Sequence, residues 1–145
     1  MEKFRDFFDS KKRPKILVVG DLILDEYIWG SINRISPEAP VAVVKVQSTK
    51  DSPGGAANVA LNLAALGAAA SLTGLVGDDA AGRELETALT AAGVYCNFHR
   101  IVGKPTITKL RVVSRHQQLI RLDFEEMFSA GDASPVTTRV RALLA

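Results

Sequence analysis

Lys15 to Val19 (K-I-L-V-V) is a short apolar run that stops at Gly20-Asp21, the pattern of a buried strand ending in a loop. The next stretch, Tyr27 to Gln47, reads Y-I-W-G, then S-P-E-A-P, then V-A-V-V-K-V-Q, which predicts two extended pieces on either side of a proline-rich turn. Asp51-Ser52-Pro53 reads as a polar loop. From Ala56 the period becomes helical: Val59, Leu63 and Leu66 make a large stripe, and Ala56, Ala60 and Ala64 make a small one that lets a helix lie close to a sheet. Gly67 supplies the stop. Ala69 to Val76 predicts a second core strand, Asp78 or Asp79 caps a helix that runs to Ala92 and ends at Gly93, and Val94 to Ile101 predicts a third strand. Strand, helix, strand, helix, strand implies parallel pairing through right-handed crossovers. T-I-T-K-L-R-V-V and Q-L-I-R-L-D-F-E, separated by S-R-H-Q, predict a hairpin, and Ser134-Pro135 is expected to open a last helix. A final helix with no strand after it, and only three core strands, read as an open α/β fold cut partway through, so a piece of a longer protein is expected.

Composition narrows the function. The 145 residues amount to one domain. With 18 basic and 16 acidic residues the net charge is +2, which gives no bulk attraction to nucleic acid or to a membrane. The single cysteine, Cys96, excludes an internal disulfide; with His99 and His116 far apart in sequence, no metal cluster is expected, and a reducing cytoplasm suits the chain. Met1 to Lys15 mixes both charges with aromatics and has no apolar core, so it does not read as a signal peptide. Val59 to Gly77 is uncharged, but Asn62, Gly67, Ser71, Thr73 and Gly74 interrupt it, and a buried helix followed by a buried strand fits better than a membrane span.

The chemistry concentrates at D-S-P-G-G-A-A-N, where Gly54 and Gly55 precede a helix and let a ligand approach the backbone. No G-x-x-x-x-G-K-[ST] occurs in the chain, and Gly54-Gly55 lacks the third glycine of a dinucleotide fingerprint. Gly74-x-x-Gly77 with Gly82 mimics that fingerprint weakly and reads better as a strand-end turn leading into a capped helix. What remains is a neutral, hydroxyl-rich ligand. N–H groups at the helix start can donate to hydroxyl oxygens, Asn58 offers a donor and an acceptor, and Asp21 and Asp25 in G-D-L-I-L-D can accept from sugar hydroxyls. Lys109 and Arg111 alternate onto one strand face, where they either bind a phosphate already on the sugar or only keep a strand edge soluble. Tyr27, Ile28 and Trp29 are sugar stackers or interface or core filler.

G-D-L-I-L-D, G-G-A-A-N-V-A-L-N-L-A-A-L-G and G-L-V-G-D-D-A-A-G, in this order, resemble the motifs of the ribokinase-like (PfkB) sugar kinases. R-I-S-P-E-A-P-V-A-V-V-K-V and T-K-L-R-V-V-S-R-H-Q-Q-L-I-R-L-D-F-E-E are similar to the heptose 7-phosphate kinase branch of that family, found in bifunctional heptose kinase/ADP-heptose synthases. The resemblance covers Lys15 to Glu126. It implies a Rossmann-like ribokinase fold with a β-lid, of which this chain carries the N-terminal portion. Asp25 then holds the sugar with Asp21 beside it, and Gly54, Gly55 and Asn58 form the sugar-contacting loop and helix start. The segments around 27–47 and 106–124 match the lid, which often also forms a dimer clasp. The implied reaction is ATP-dependent, Mg2+-assisted phosphorylation of a heptose 7-phosphate for lipopolysaccharide core synthesis. One departure matters. The family's late G-A-G-D loop, which supplies the catalytic base, has only Ala130-Gly131-Asp132 as an echo here, directly after the hairpin, where a helix-entry turn is the better reading. No catalytic residue is therefore assigned within the chain. By itself it is expected to bind neither ATP nor Mg2+ and to be inactive. Two alternatives stay open: a ribokinase-like enzyme acting on another sugar or nucleoside, and a non-catalytic dimerisation module built on the lid.

Overall fold

The structure is a computed structural model that describes residues 13–144; most of the N-terminal stretch discussed above lies outside it. Seven strands and three helices follow one another as β1 (Lys15–Val19), β2 (Leu22–Ile35), β3 (Ala42–Gly55), α1 (Ala56–Ala65), β4 (Ala69–Gly77), α2 (Ala80–Ala91), β5 (Tyr95–Ile101), β6 (Ile107–Ser114), β7 (Gln117–Phe124) and α3 (Ala130–Leu144). They form two sheets. One is parallel, in the order β1-β4-β5; the other is mixed, in the order β3-β2-β6-β7.

Alternation along β4 explains how the parallel sheet is sandwiched. Ala70, Leu72 and Val76 point to one face and are buried with Leu85 and Leu89 of α2 and Ala57 and Ala60 of α1. Burying each such leucine contributes roughly 1.5–3 kcal/mol. The opposite face is met by α3, whose Arg139 donates to Asn97 Oδ1 at 2.7 Å and to the Phe98 carbonyl at 2.8 Å. Leu22 and Leu24 at the root of β2 join the same core, so the second sheet is rooted in the first layer.

Four expectations need correction. Asp51-Ser52-Pro53 is not a loop: it belongs to β3 and pairs antiparallel with Leu24, Asp25 and Glu26. Proline is tolerated because β3 is an edge strand, where a missing N–H costs no ladder bond. Both extended pieces are accordingly longer than their apolar cores, and β2 also pairs in parallel with β6, which makes the second sheet mixed. On α1 the small stripe faces the core as expected, but Val59 and Leu66 are 50% and 65% exposed. The last helix starts at Ala130 rather than Ser134, with Pro135 inside it.

Its start is a capping box. Ser129 Oγ accepts from the Asp132 N–H at 3.2 Å, while Asp132 Oδ2 accepts from the Ser129 N–H at 2.7 Å and from Lys104 Nζ at 2.7 Å. These bonds, from Lys104 first and then Ser129, hold the Asp132 carboxyl down to about 2. A carboxylate so engaged caps the helix, which agrees with the helix-entry reading.

Candidate functional site

Three elements meet where β1 ends. Gly20 and Asp21 leave the parallel sheet, β2 begins at Leu22, and Gly54-Gly55 close β3 opposite Ile23 and Leu22 just before α1. The junction is tight. The Ala56 N–H donates to the Asp21 carbonyl at 2.9 Å, and a Cβ on Gly55 would stand 2.6 Å from that same oxygen. Gly55 also sits at φ 55°, in the left-handed region that favours glycine. A Cβ on Gly54 would overlap Asp25 Oδ2, so this glycine is the gap into which the carboxylate folds. No side chain caps α1, whose first turn keeps N–H groups for another acceptor.

Asp25, Tyr27, Lys109 and Arg111 share one face of the mixed sheet, because Asp25 lies beside Lys109 and Tyr27 beside Arg111 in register. Arg111 Nη1 donates to Asp25 Oδ1 at 2.6 Å, with the two side chains 19% and 21% exposed. That bond pushes the guanidinium further above its ordinary range. Its plane lies 5.2 Å over the Tyr27 ring, which in turn stacks on Trp29 at 5.3 Å. Lys109 Nζ lies 3.3 Å from Asp123 and 3.4 Å from Glu125.

Glu125 connects this face to a cleft of about 730 Å³ over the parallel sheet, whose wall includes Gly20, Asp21, Gly74, Glu126, Met127 and Val136. Gly74 is required there, since a Cβ would stand 2.6 Å from the Gly20 carbonyl. A crevice at the carboxyl ends of parallel strands is where α/β folds take ligands. Asn58 sits in the first turn of α1, exposed, with its carbonyl and Oδ1 accepting from Asn62 Nδ2 at 2.9 Å and 3.4 Å. Seven residues singled out from sequence, Asp21, Asp25, Gly54, Gly55, Asn58, Lys109 and Arg111, thus gather on the β2 root, the start of α1 and the adjoining face of β6. Tyr27, weighed from sequence as a sugar stacker or filler, lies under Arg111 as its platform, while Glu125 and Glu126, which line the same cleft as Asp21, were not foreseen as site components. The only sequence signal for the last two is the E-E pair that follows the hairpin.

The G-L-V-G-D-D-A-A-G motif has a structural role. Asp79 caps α2 through the Gly82 N–H at 2.8 Å and also accepts from the Thr106 N–H and hydroxyl, both at 2.7 Å. Thr106 Oγ1 accepts in turn from the Gly77 N–H at 2.9 Å. Partial burial opposes ionisation of Asp79, but these bonds outweigh it and hold the carboxyl below its ordinary range. On the other face of the mixed sheet, Glu26 lies opposite Asp51 with Glu84 of α2 beside them. Burial first, then Asp51, pushes Glu26 up, while the hydrogen bond with Asp51 leads the rise at Glu84.

A sequence model of the pfkB family carbohydrate kinases matches residues 13–133. The chain belongs to that family. Its curated relatives include the bifunctional protein HldE of Edwardsiella ictaluri, 57% identical over 133 residues, and that of Pseudomonas fluorescens, 61% identical over 129. These alignments take in 92% and 89% of this chain but 28% and 27% of the relatives, so the chain spans little more than a quarter of their length. Among solved structures, a carbohydrate kinase from Agrobacterium tumefaciens superimposes with a TM-score of 0.64 at 27% identity, covering 76% of this chain and 35% of that one. A ribokinase from Cryptococcus neoformans in complex with ADP shares the fold, with a TM-score of 0.56 at 21% identity over 76% of this chain and 34% of its own. The α/β architecture is that of the ribokinase-like kinases.

Proposed function

We propose that this chain is the sugar-binding part of an ATP-dependent phosphosugar kinase that phosphorylates the anomeric hydroxyl of D-glycero-D-manno-heptose 7-phosphate, for ADP-heptose and lipopolysaccharide core synthesis in the cytoplasm. The observation that carries this is the Asp25 carboxylate folded over Gly54 and paired with Arg111, in a pfkB-family chain 57–61% identical to HldE relatives. Asp25 accepts sugar hydroxyls, with Asp21 at the mouth of the cleft, and the uncapped start of α1 with Asn58 and the Gly54-Gly55 backbone supplies donors. Lys109 and Arg111 face the phosphate that the sugar already carries. The four-stranded sheet acts as the lid: closing it over the cleft excludes water from the transferred group.

The described residues contain no group of three or more acids, histidines or cysteines placed to hold a metal ion, and the sequence has no Walker loop. In this reading ATP and Mg2+ are held by the remainder of a full-length kinase. The chain alone orients the acceptor sugar and does not turn over. Among the described residues no helix is long and apolar enough to cross a membrane.

The test is steady-state kinetics in a full-length HldE whose matching segment is replaced by residues 13–133 of this chain. Arg111→Ala should raise KM for heptose 7-phosphate tenfold or more and Lys109→Ala by less, each much more than KM for unphosphorylated heptose, because only the phosphate presents an anion to a partly desolvated cation. Equal effects on both sugars would assign the two cations to surface solvation.

A second copy of the chain is the proposed partner. Ile120, Leu122 and Phe124 project from the face opposite Asp25, beside Val112, Leu110 and Thr108 in register, and are 51%, 43% and 50% exposed. A contiguous apolar strip on a sheet favours pairing with its like. Ile120→Lys with Leu122→Lys should convert a dimer to a monomer in sedimentation velocity; a monomer before substitution would remove the clasp.

A further inference from the structure

The polar face of the mixed sheet is ordered in rows by register. The row at its root is Ser52, Asp25, Lys109 and Asp123; the next row out is Lys50, Tyr27, Arg111 and Arg121. The acids of the root row are already engaged, Asp25 by Arg111 and Asp123 by Lys109 and Arg121, and Glu125 adds a further acid against Lys109. The outer row holds three cations and no acid. Lys50, exposed at the edge strand, makes no ion pair among the described residues. It stands beside Tyr27 on the side away from Arg111.

The spacings suit a phosphorylated sugar. Neighbouring strands lie ~4.8 Å apart, so the Lys50 and Arg111 backbones are ~10 Å apart across Tyr27, a gap that two long cationic side chains can close around one tetrahedral dianion. Successive rows on one face are ~7 Å apart, about the span from a ring hydroxyl to a phosphate on the terminal carbon of the same sugar. Lys109, between Asp123 and Glu125, has less charge to offer. We propose that Lys50, with Arg111 across the Tyr27 ring, forms the subsite for the phosphomonoester of the acceptor sugar. This rests on the reading that the adjacent Asp25 binds the sugar's hydroxyls. Lys50 is thereby a specificity-determining residue, selecting phosphorylated over neutral sugars.

The experiment compares Lys50→Ala, Lys50→Glu and Lys50→Arg in the same full-length HldE carrying residues 13–133. The expected result is a rise of tenfold or more in KM for heptose 7-phosphate with Lys50→Ala, a larger rise with Lys50→Glu and recovery with Lys50→Arg. The kcat, the KM for ATP and the KM for unphosphorylated heptose should stay within twofold. A shift in KM for ATP would mean that Lys50 serves the nucleotide's phosphates and would overturn the subsite, as would equal effects, or none, on the two sugars. Asp25→Ala run alongside separates the two levels. If it impairs both sugars while Lys50→Ala is inert, only this subsite falls; if it impairs neither, the sugar-binding reading falls and takes the subsite with it.

Discussion

Asp25→Ala should weaken binding of heptose 7-phosphate by about 10- to 150-fold without unfolding the chain. A hydrogen bond to a charged group contributes roughly 1.5–3 kcal/mol, and each 1.4 kcal/mol is tenfold in affinity. The loss has a second source. Arg111 now donates to Asp25 at 2.6 Å, and without that partner its guanidinium is free to cover the space the sugar enters. The fold should survive, because both side chains keep about a fifth of their surface in water and neither belongs to the apolar core. Asn58→Ala removes neutral hydrogen bonds worth about 0.5–1.5 kcal/mol and should have the smaller effect in the same direction. Unchanged calorimetric titrations for both variants would refute the site.

Asp79→Ala should produce a large loss of stability, about 2–4 kcal/mol, with a fall in Tm on the order of 10 °C. The carboxylate satisfies the Gly82 N–H, the Thr106 N–H and the Thr106 hydroxyl together, and Thr106 is 1% exposed, so water cannot take its place. Because the folded state holds this carboxyl below its ordinary range, its stabilisation is complete above the unfolded-state value near 3.8 and is lost as pH falls through the lower, folded-state value. Thermal melts of parent and variant should therefore converge in strong acid and stand furthest apart near neutrality. A variant that melts with the parent at pH 7 would show that the Asp79–Thr106 bonds add nothing net.

The elements legible in sequence were those whose period is set by one packed face. β1, β4, β5 and the β6–β7 hairpin fall where their apolar stretches put them, and α2 falls between its expected cap and stop, Asp79 being one of the two named caps. The misreadings share a cause. Composition spoke for loop at Asp51-Ser52-Pro53, but tertiary pairing of an edge strand overrode it. Ser134-Pro135 looked like a helix start, but Ser129 with Asp132 supplies the cap five residues earlier. Val59 and Leu66 have the right spacing for a core stripe, yet the alanines take the sheet and leave them exposed. In the site, residue types were legible and partnerships were not. Asp25 and Arg111 are 86 residues apart, and only the parallel pairing of β2 with β6 brings them together.

The most direct test of the account is to titrate D-glycero-D-manno-heptose 7-phosphate, without nucleotide, into a full-length HldE carrying residues 13–133, beside the Asp25→Ala variant and beside heptose lacking the phosphate. Saturable one-to-one binding of the phosphosugar is expected, at least tenfold weaker for the neutral sugar and at least tenfold weaker for the variant. Equal affinity for the two sugars, or binding that Asp25→Ala leaves intact, would contradict it.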